Sequence, residues 1–347
     1  LDWDEAGAAE RYVRLGLALG RHLDGLVDAY YGPDAWRVEA EAGAPRPLPA
    51  LVDEAARLVA DLDAGADPSV TGRRRAWLRG QIVGLHTVAR KLGGEDVPYL
   101  DEVEASYGVR PTAVTEDELN VAHRALDDAL PGGGGLRERM IAWREGHTIP
   151  PDRLAGAVRT LADDFAERTR AAFGLPDGEE VEWILETDKP WSGFNYYLGD
   201  LRSRVAINVD LPVLTLSLGH LVAHEAYPGH HTEHCRKEVG LVRARDQIEE
   251  SIFLVGTPQC LLAEGLADVA LEAIVGDDTE AALAPVFAEL RLPFAADEAA
   301  RVRGALGRLS AARGNLALML HDEGRSHDDV IAWAERWLLL PRARAEL

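Results

Sequence analysis

Residues 220–234 read HLVAHEAYPGHHTEH, and five of the eleven histidines of the 347-residue chain fall within this stretch. A catalytic zinc ion usually takes three protein ligands, and a glutamate beside them can take a proton from water. His224-Glu225 has the order that begins the HExxH metal-binding motif. The stretch therefore predicts a helix-borne metal site with His224 as a ligand and Glu225 as the general base.

The stretch departs from HExxH because Pro228 stands where the second histidine belongs. On an unbroken helix His231 would lie about 10.5 Å along the axis from His224, too far for both to reach one ion. Pro228 removes a helix amide and Gly229 tolerates unusual dihedral angles, so we expect a kink or bulge here. Either His230 or His231 could then reach the metal, and we favour His230.

A third ligand is expected from another helix. Glu264, within LLAEGLAD at residues 261–268, is the best downstream candidate. Asp268 follows it by one helical turn and could accept the other ring N–H of a ligating histidine. His231 is expected to lie beside the ligands or at the surface. Together these residues predict a three-ligand site for Zn²⁺.

Helical periodicity dominates the rest of the chain, with apolar residues recurring at three- and four-residue steps. Residues 180–209 differ, because two short runs read as strands, with Gly193 and Gly199 marking turns between them. The predicted fold class is mainly α with a small β-hairpin or sheet. Helices are predicted at residues 3–30, 50–64, 72–92, 115–129, 135–146, 151–173, 213–227, 258–275, 279–290, 296–321 and 327–338.

The predicted organisation has an N-terminal helical region at residues 1–175 and a metal-binding region with the sheet at residues 176–347. The run PGGGG at residues 131–135 is interpreted as a loop between helices, because helical patterns resume on both sides. The two regions are therefore expected to form one continuous structural unit.

Composition excludes several classes of function. A formal charge of −22 disfavours nucleic-acid binding, and no apolar run approaches the roughly 20 residues that span a bilayer. The first residues lack the features of a signal peptide. Two cysteines cannot make a multi-bridge disulfide framework, which fits a reducing cytoplasm.

The stretch HEAYPGH at residues 224–230 resembles the HExxPGH mark of a bacterial domain-of-unknown-function family in the gluzincin peptidase clan, alongside thermolysin-like and neurolysin-like enzymes. Glu264-Gly265 matches the family's second metal-binding helix, and the resemblance is specific over about residues 212–272. It implies a multi-helix zincin-like body with a sheet beside the active-site cleft, with zinc held by His224, His230 and Glu264.

The resemblance also suggests residues beyond the ligands. In that family the strand region before the motif borders the cleft, which makes Asn195, Tyr196 and Tyr197 candidate substrate-binding residues. Gluzincins generally use a Tyr, His or Arg downstream of the third ligand to stabilise the oxyanion. No tyrosine follows the histidine-rich stretch, and the downstream candidates are His321, Arg301, Arg303 and Arg313. Arg313 stands roughly where the family has a Pro-Gly-Gln segment.

The function predicted from these residues is hydrolysis of peptide bonds by a zinc-activated water, with Glu225 as general base. Two alternatives stay open at this point. One is a catalytically silent metal- or peptide-binding protein on the same scaffold. The other is a metal-dependent hydrolase of non-peptide amides or esters.

Overall fold

The backbone of the computed structural model, which describes residues 6–346, is mainly helical with two small sheets, so the predicted fold class is confirmed. The helices are α1 Ala8–Gly20, α2 Asp34–Glu41, α3 Leu48–Ala64, α4 Gly72–Leu92, α5 Tyr99–Tyr107, α6 Glu116–Ala129, α7 Leu136–Gly146, α8 Pro151–Phe173, α9 Thr215–Glu225, α10 His230–Lys237, α11 Pro258–Asp268, α12 Ala270–Val275, α13 Thr279–Glu289, α14 Ala296–Ser310, α15 Arg313–Ala317, α16 His327–Trp337 and α17 Arg342–Ala345. The strands are β1 Val27–Tyr30, β2 Glu180–Glu186, β3 Gly193–Gly199, β4 Arg202–Asn208 and β5 Ile252–Leu254.

Helices with clear local stop signals have the bounds that the sequence predicts. Both α4 and α8 match their predicted ranges, and α8 begins at Pro151, where the missing amide costs nothing. The helix α6 begins with a capping box, in which Thr115 accepts from the backbone of Glu118 and Glu118 accepts from the backbone of Thr115. These ends are set by residues within one turn.

The predicted opening helix at residues 3–30 is wrong in its second half, and its first residues lie outside the described part. The helix ends at Gly20, and Val27–Tyr30 forms β1. The partner of β1 is β5, with Val27 opposite Leu254. Because the two strands are distant in sequence, the pairing that makes residues 27–30 a strand leaves no signal in the local periodicity.

The second sheet has the strand order β2–β4–β3, with β4 parallel to β2 and antiparallel to β3. Gly193 and Gly199 begin and end β3 instead of marking turns between two strands, so that expectation is wrong. Residues 195–197 consequently lie within a strand at the edge of this sheet, and not in a hairpin loop.

Each apolar core contains residues from both sides of position 175. Tyr12 of α1 packs in the same core as Leu254 of β5, and Leu126 of α6 packs in the same core as Trp337 of α16. The core that supports α9 also includes Phe165 of α8. None of the helices within residues 6–346 combines the length and apolar surface needed to cross a membrane.

Candidate metal centre

The helix is interrupted between α9 and α10, where the sequence predicts a kink or bulge. We call this interruption the break. Pro228 follows a cis peptide bond, and two backbone hydrogen bonds carry the chain across the break. The N–H of Gly229 donates to the carbonyl of Ala223 at 2.9 Å, and that of Thr232 donates to Ala226 at 3.2 Å. Each bond reaches two residues further back than an α-helical bond, so the break absorbs two residues.

Glycine at position 229 is a steric requirement of this break. A Cβ atom on Gly229 would lie 1.9 Å from the carbonyl oxygen of His224 and 2.5 Å from that of Ala223. Both oxygens belong to the backbone and cannot turn aside. The absence of a side chain at position 229 therefore lets His230 approach His224.

Three predicted ligands lie together at the meeting point of α9, α10 and α11. The Nε2 atoms of His224 and His230 are 3.2 Å apart, and each lies 3.4 Å from a carboxylate oxygen of Glu264. Ligand atoms at about 2.0–2.2 Å from a tetrahedral zinc ion are separated by roughly 3.3–3.6 Å. The two 3.4 Å distances reach different oxygens, Oε2 from His224 and Oε1 from His230, so the three side chains are close enough to share one zinc ion.

The cluster is accessible from one side. The side chains of His224 and His230 are 14% and 12% exposed, whereas that of Glu264 is 53% exposed. The two histidines are thus fixed by packing while the glutamate faces the open side. A catalytic metal needs an open position for water or substrate, and this arrangement provides access to one.

Asp268 lies beside His224, where the helical spacing predicts it. Its Oδ1 is 3.4 Å from Nδ1 of His224 and 3.7 Å from Nε2 of His220. The Nδ1 atom of His224 is buried and has no hydrogen-bond partner within residues 6–346. Because Asp268 is largely exposed, a small rotation would bring its carboxylate onto that nitrogen. His220, His224 and Asp268 also form a second cluster of potential ligand atoms, with wider spacing.

The charges in the cluster favour an ionised carboxylate. Hydrogen bonds from His224 and His230 hold the pKa of Glu264 well below its usual range, against the opposing effect of burial. Burial tends to lower the pKa of His230, but the hydrogen bond to Glu264 and the charge of Glu225 raise it overall. Glu264 and His230 thus each stabilise the charged form of the other.

Glu225 is buried next to the cluster, at the last residue of α9. Burial raises the pKa of its carboxyl group, while His230 and His224 partly oppose the shift. The side-chain amide of Asn195 donates to the backbone carbonyl of Glu225 at 2.6 Å. Asn195 is itself buried, so it ties β3 to the end of α9, and this differs from the substrate-binding role expected for it.

His231 does not lie beside the ligands. Its Nδ1 is 2.8 Å from Oγ of Ser203 and its Nε2 is 3.0 Å from a carboxylate oxygen of Glu179, which also accepts from Tyr227. The ring is fully buried between α10 and the sheet. This corrects the expectation that His231 supports a metal ligand, and it leaves His230 as the histidine that meets His224.

The two tyrosines of β3 differ in burial. The hydroxyl of Tyr197 donates to Glu238 at 2.5 Å, and its ring stacks on His234 with centroids 4.6 Å apart. Tyr197 is buried, and its expected role in substrate binding stays a prediction. Tyr196 is half-buried, and both tyrosines line an open cavity of about 790 Å³ together with Asp28 of β1.

The two leading candidates for oxyanion stabilisation lie away from direct contact with the ligands. His321 is exposed, and its ring lies against Tyr99 of α5 with centroids 5.2 Å apart. Arg313, at the start of α15, lines a cavity that also includes His220. Neither contact gives these residues a catalytic position.

Asp28 is a residue of this site that the sequence does not reveal. Burial raises its pKa to about 6, with a lowering contribution from His230 and a raising one from Glu264, so its carboxyl group lies within electrostatic reach of both ligands. Asp28 is part of β1, within the segment expected to be helical. The only signal that could have found it is the pairing of β1 with β5, which depends on the tertiary fold.

Comparisons with known proteins supply little beyond the geometry. No protein-family model and no curated protein matches the chain. A similar solved structure is that of a protein from Colwellia psychrerythraea provisionally described as a lipoprotein, with 15% sequence identity and a TM-score of 0.49. The match covers 85% of this chain and 55% of that chain, so the chain spans about half the length of this neighbour.

Proposed function

We propose that this chain is a zinc-dependent metallopeptidase of the gluzincin type, with His224, His230 and Glu264 as the zinc ligands. The observation that supports it best is that His224, His230 and Glu264 each offer one ligand atom within 4.8 Å of the other two, with the two histidine nitrogens 3.2 Å apart. One zinc ion takes ligands of these types. When bound there, zinc would polarise a substrate carbonyl and lower the pKa of water.

Glu225 is the general base in this proposal. Its carboxylate is buried beside the ligands, and the raised pKa makes it a stronger base than an exposed glutamate. It takes a proton from the attacking water as the C–O bond forms. It then delivers that proton to the leaving nitrogen as the C–N bond breaks, so the base is regenerated in each turnover.

The edge strand β3 supplies a surface on which an extended peptide can bind. β3 pairs with β4 on one side only within its sheet, and Gly193 at its start lies against Glu225. A peptide added along a sheet edge gains main-chain hydrogen bonds that are independent of its sequence. Such binding would hold a scissile bond near the general base.

The silent-protein alternative has one observation in its favour, because Arg313 and His321 contact groups other than the ligands. Hydrolysis of non-peptide amides or esters would use the same groups. Screening peptide, amide and ester substrates separates the three functions. A silent protein gives no zinc-dependent turnover in any of them, whereas a peptidase cleaves the peptides.

Glu225→Gln tests the role of the base directly. Because no ligand is altered, we expect about one zinc per chain to remain while hydrolysis falls about 10²- to 10⁴-fold. Glu289→Gln, at an exposed position of α13, is the matched control and should leave both quantities unchanged. An unchanged rate in Glu225→Gln would reject this role, and a wild type without metal after zinc reconstitution would reject the mechanism.

We further infer a cytoplasmic location and a peptide partner. Cys235 and Cys260 are both free thiols, as a reducing compartment favours. The charge of −22 disfavours a nucleic-acid partner. Because Cys235 is buried, the protein is taken directly from cells without added reductant and denatured before labelling. Labelling of both thiols would then support the location, and thiols that stay protected would oppose it.

A further inference from the structure

A second cavity, of about 460 Å³, lies between α9, the turn before β3 and the C-terminal helices. Although the molecule is acidic as a whole, the wall of this cavity contains arginine side chains and no carboxylate among its lining residues. Its lining includes Trp191, Ser192, His220, Leu221, Arg313 and Arg344. We call it the arginine cavity.

Two arginines line this cavity, and a third, from another helix, lies within electrostatic reach of both. Arg313 and Arg344 line it, and burial together with the charges of Arg344 and Arg313 lowers the pKa of Arg144 to about 10. Arg144 donates to the carbonyl of Leu339 at 2.6 Å and Arg344 to that of Pro212 at 3.5 Å. Among residues 6–346 no ion pair includes any of the three arginines.

The lack of a carboxylate here is informative because the chain has 59 acidic and 37 basic residues. Like charges held together in a partly buried site repel one another. Elsewhere in the molecule arginines of comparable exposure, such as the exposed Arg243 and the half-buried Arg303, each pair with two carboxylates. A bound anion would relieve the repulsion among the cavity arginines.

The arginine cavity adjoins the proposed catalytic groups. The ring of His220 lies 5.7 Å from that of His224, centroid to centroid. A Cβ on Gly193 would lie 2.8 Å from Leu221 and 2.9 Å from the carboxylate of Glu225, so the turn before β3 bridges cavity and base. A ligand that fills the cavity would therefore extend naturally to Glu225.

The two ends of β3 differ in charge. Its N-terminal end follows Trp191 and Ser192 of the arginine cavity, whereas Tyr196 and Gly199 share the other cavity with Asp28. A peptide paired antiparallel to β3 would direct its carboxyl end towards the arginines and its amino end towards the aspartate. The charges therefore favour the antiparallel direction over the parallel one.

We propose that the arginine cavity is a subsite for a peptide carboxylate, held by Arg313 and Arg344 next to the scissile bond. The carboxylate is either the free carboxyl end of the substrate or an acidic side chain near it. This proposal deepens the proposed peptidase function, and the bound peptide is a substrate only if that function holds. As a binding site it can be tested without turnover.

The test uses calorimetric binding to the Glu225→Gln protein, with and without zinc. The probes are an N-acetyl dipeptide with a free or an amidated carboxyl end, and an amidated peptide ending in Glu or Gln. We expect the carboxylate member of one pair to bind about 10- to 100-fold more tightly than its neutral partner. Arg313→Gln and Arg344→Gln should each remove most of this preference. Arg342→Gln, on the same helix but paired with Glu335 and Glu346, should keep it.

The outcomes separate this proposal from the peptidase proposal. Preference in the first pair assigns the site to a terminal carboxylate, and preference in the second pair assigns it to an acidic side chain. Equal binding within both pairs, or a preference that survives both arginine changes, overturns the subsite even if the wild type cleaves peptides. Arginine-dependent preference in a protein that cleaves nothing keeps the subsite and rejects the peptidase.

Discussion

The carboxylate of Glu225 occupies space that a side chain on residue 193 would need. A Cβ atom on Gly193 would lie 2.9 Å from Oε1 of Glu225 and 2.8 Å from Cδ1 of Leu221. Both atoms are the ends of flexible side chains. An alanine at position 193 would therefore displace the proposed base while leaving the backbone of β3 in place.

Gly193→Ala should consequently reduce catalysis without removing the metal. We expect kcat to fall about 10- to 100-fold, since a displacement of about 1 Å at a reacting group has effects of this size. Zinc content and the unfolding temperature should change little. Gly156→Ala, at an open position on α8, is the control and should retain full activity. Equal rates for the two variants would show that Glu225 needs no such space.

Gly229→Ala should disrupt the break between α9 and α10. Because the new Cβ would meet backbone oxygens at 1.9 and 2.5 Å, the chain must move, at a cost of about 3 kcal/mol. Chemical denaturation should report this loss of stability, and zinc content should fall with it. Gly240→Ala, where the added Cβ meets nothing within 4 Å, should leave both close to wild type. Normal zinc binding by Gly229→Ala would contradict the steric account.

His230→Ala and His231→Ala should have opposite effects on metal and stability. The first removes a proposed ligand, so zinc should be lost while the fold persists. The second leaves the ligands but strips Glu179 of a buried partner, with a cost of about 1–3 kcal/mol. Metal analysis and denaturant unfolding of the two variants distinguish these effects. Zinc loss in His231→Ala with a stable fold would reverse the assignment.

The grouping of His224, His230 and Glu264 could largely be predicted because its signals are local. The spacing of His224 and Glu225, the Pro228-Gly229 pair and the Glu264-to-Asp268 turn are each contained within a few residues. Geometry limited to one helix could not choose between His230 and His231. That choice depends on Ser203 and Glu179, which engage His231 from other elements.

The surroundings of the site could not be predicted for the same physical reason. The strand β1 carries Asp28 into the site through its pairing with β5, and the hydroxyl of Tyr197 donates to Glu238 of another segment. The composition of residues 195–197 is typical of a strand whether their side chains are buried or exposed. Which side of a strand faces solvent depends on what packs against it, and that information is not local.

Asp28→Asn should stabilise the metal-free protein above pH 6. The pKa of Asp28 rises from an ordinary value of 3.8 to about 6 on folding, mainly through burial. Its protonated form therefore favours the fold below about pH 4, and this contribution is lost as pH rises through 6. Asparagine avoids the charge, so at pH 8 the variant should be more stable by up to about 3 kcal/mol, with little difference at pH 4. Denaturant unfolding with chelator at both pH values measures this, and exposed Asp24→Asn is the control. A gain that is the same at both pH values would contradict the burial of a charged Asp28 beside His230 and Glu264.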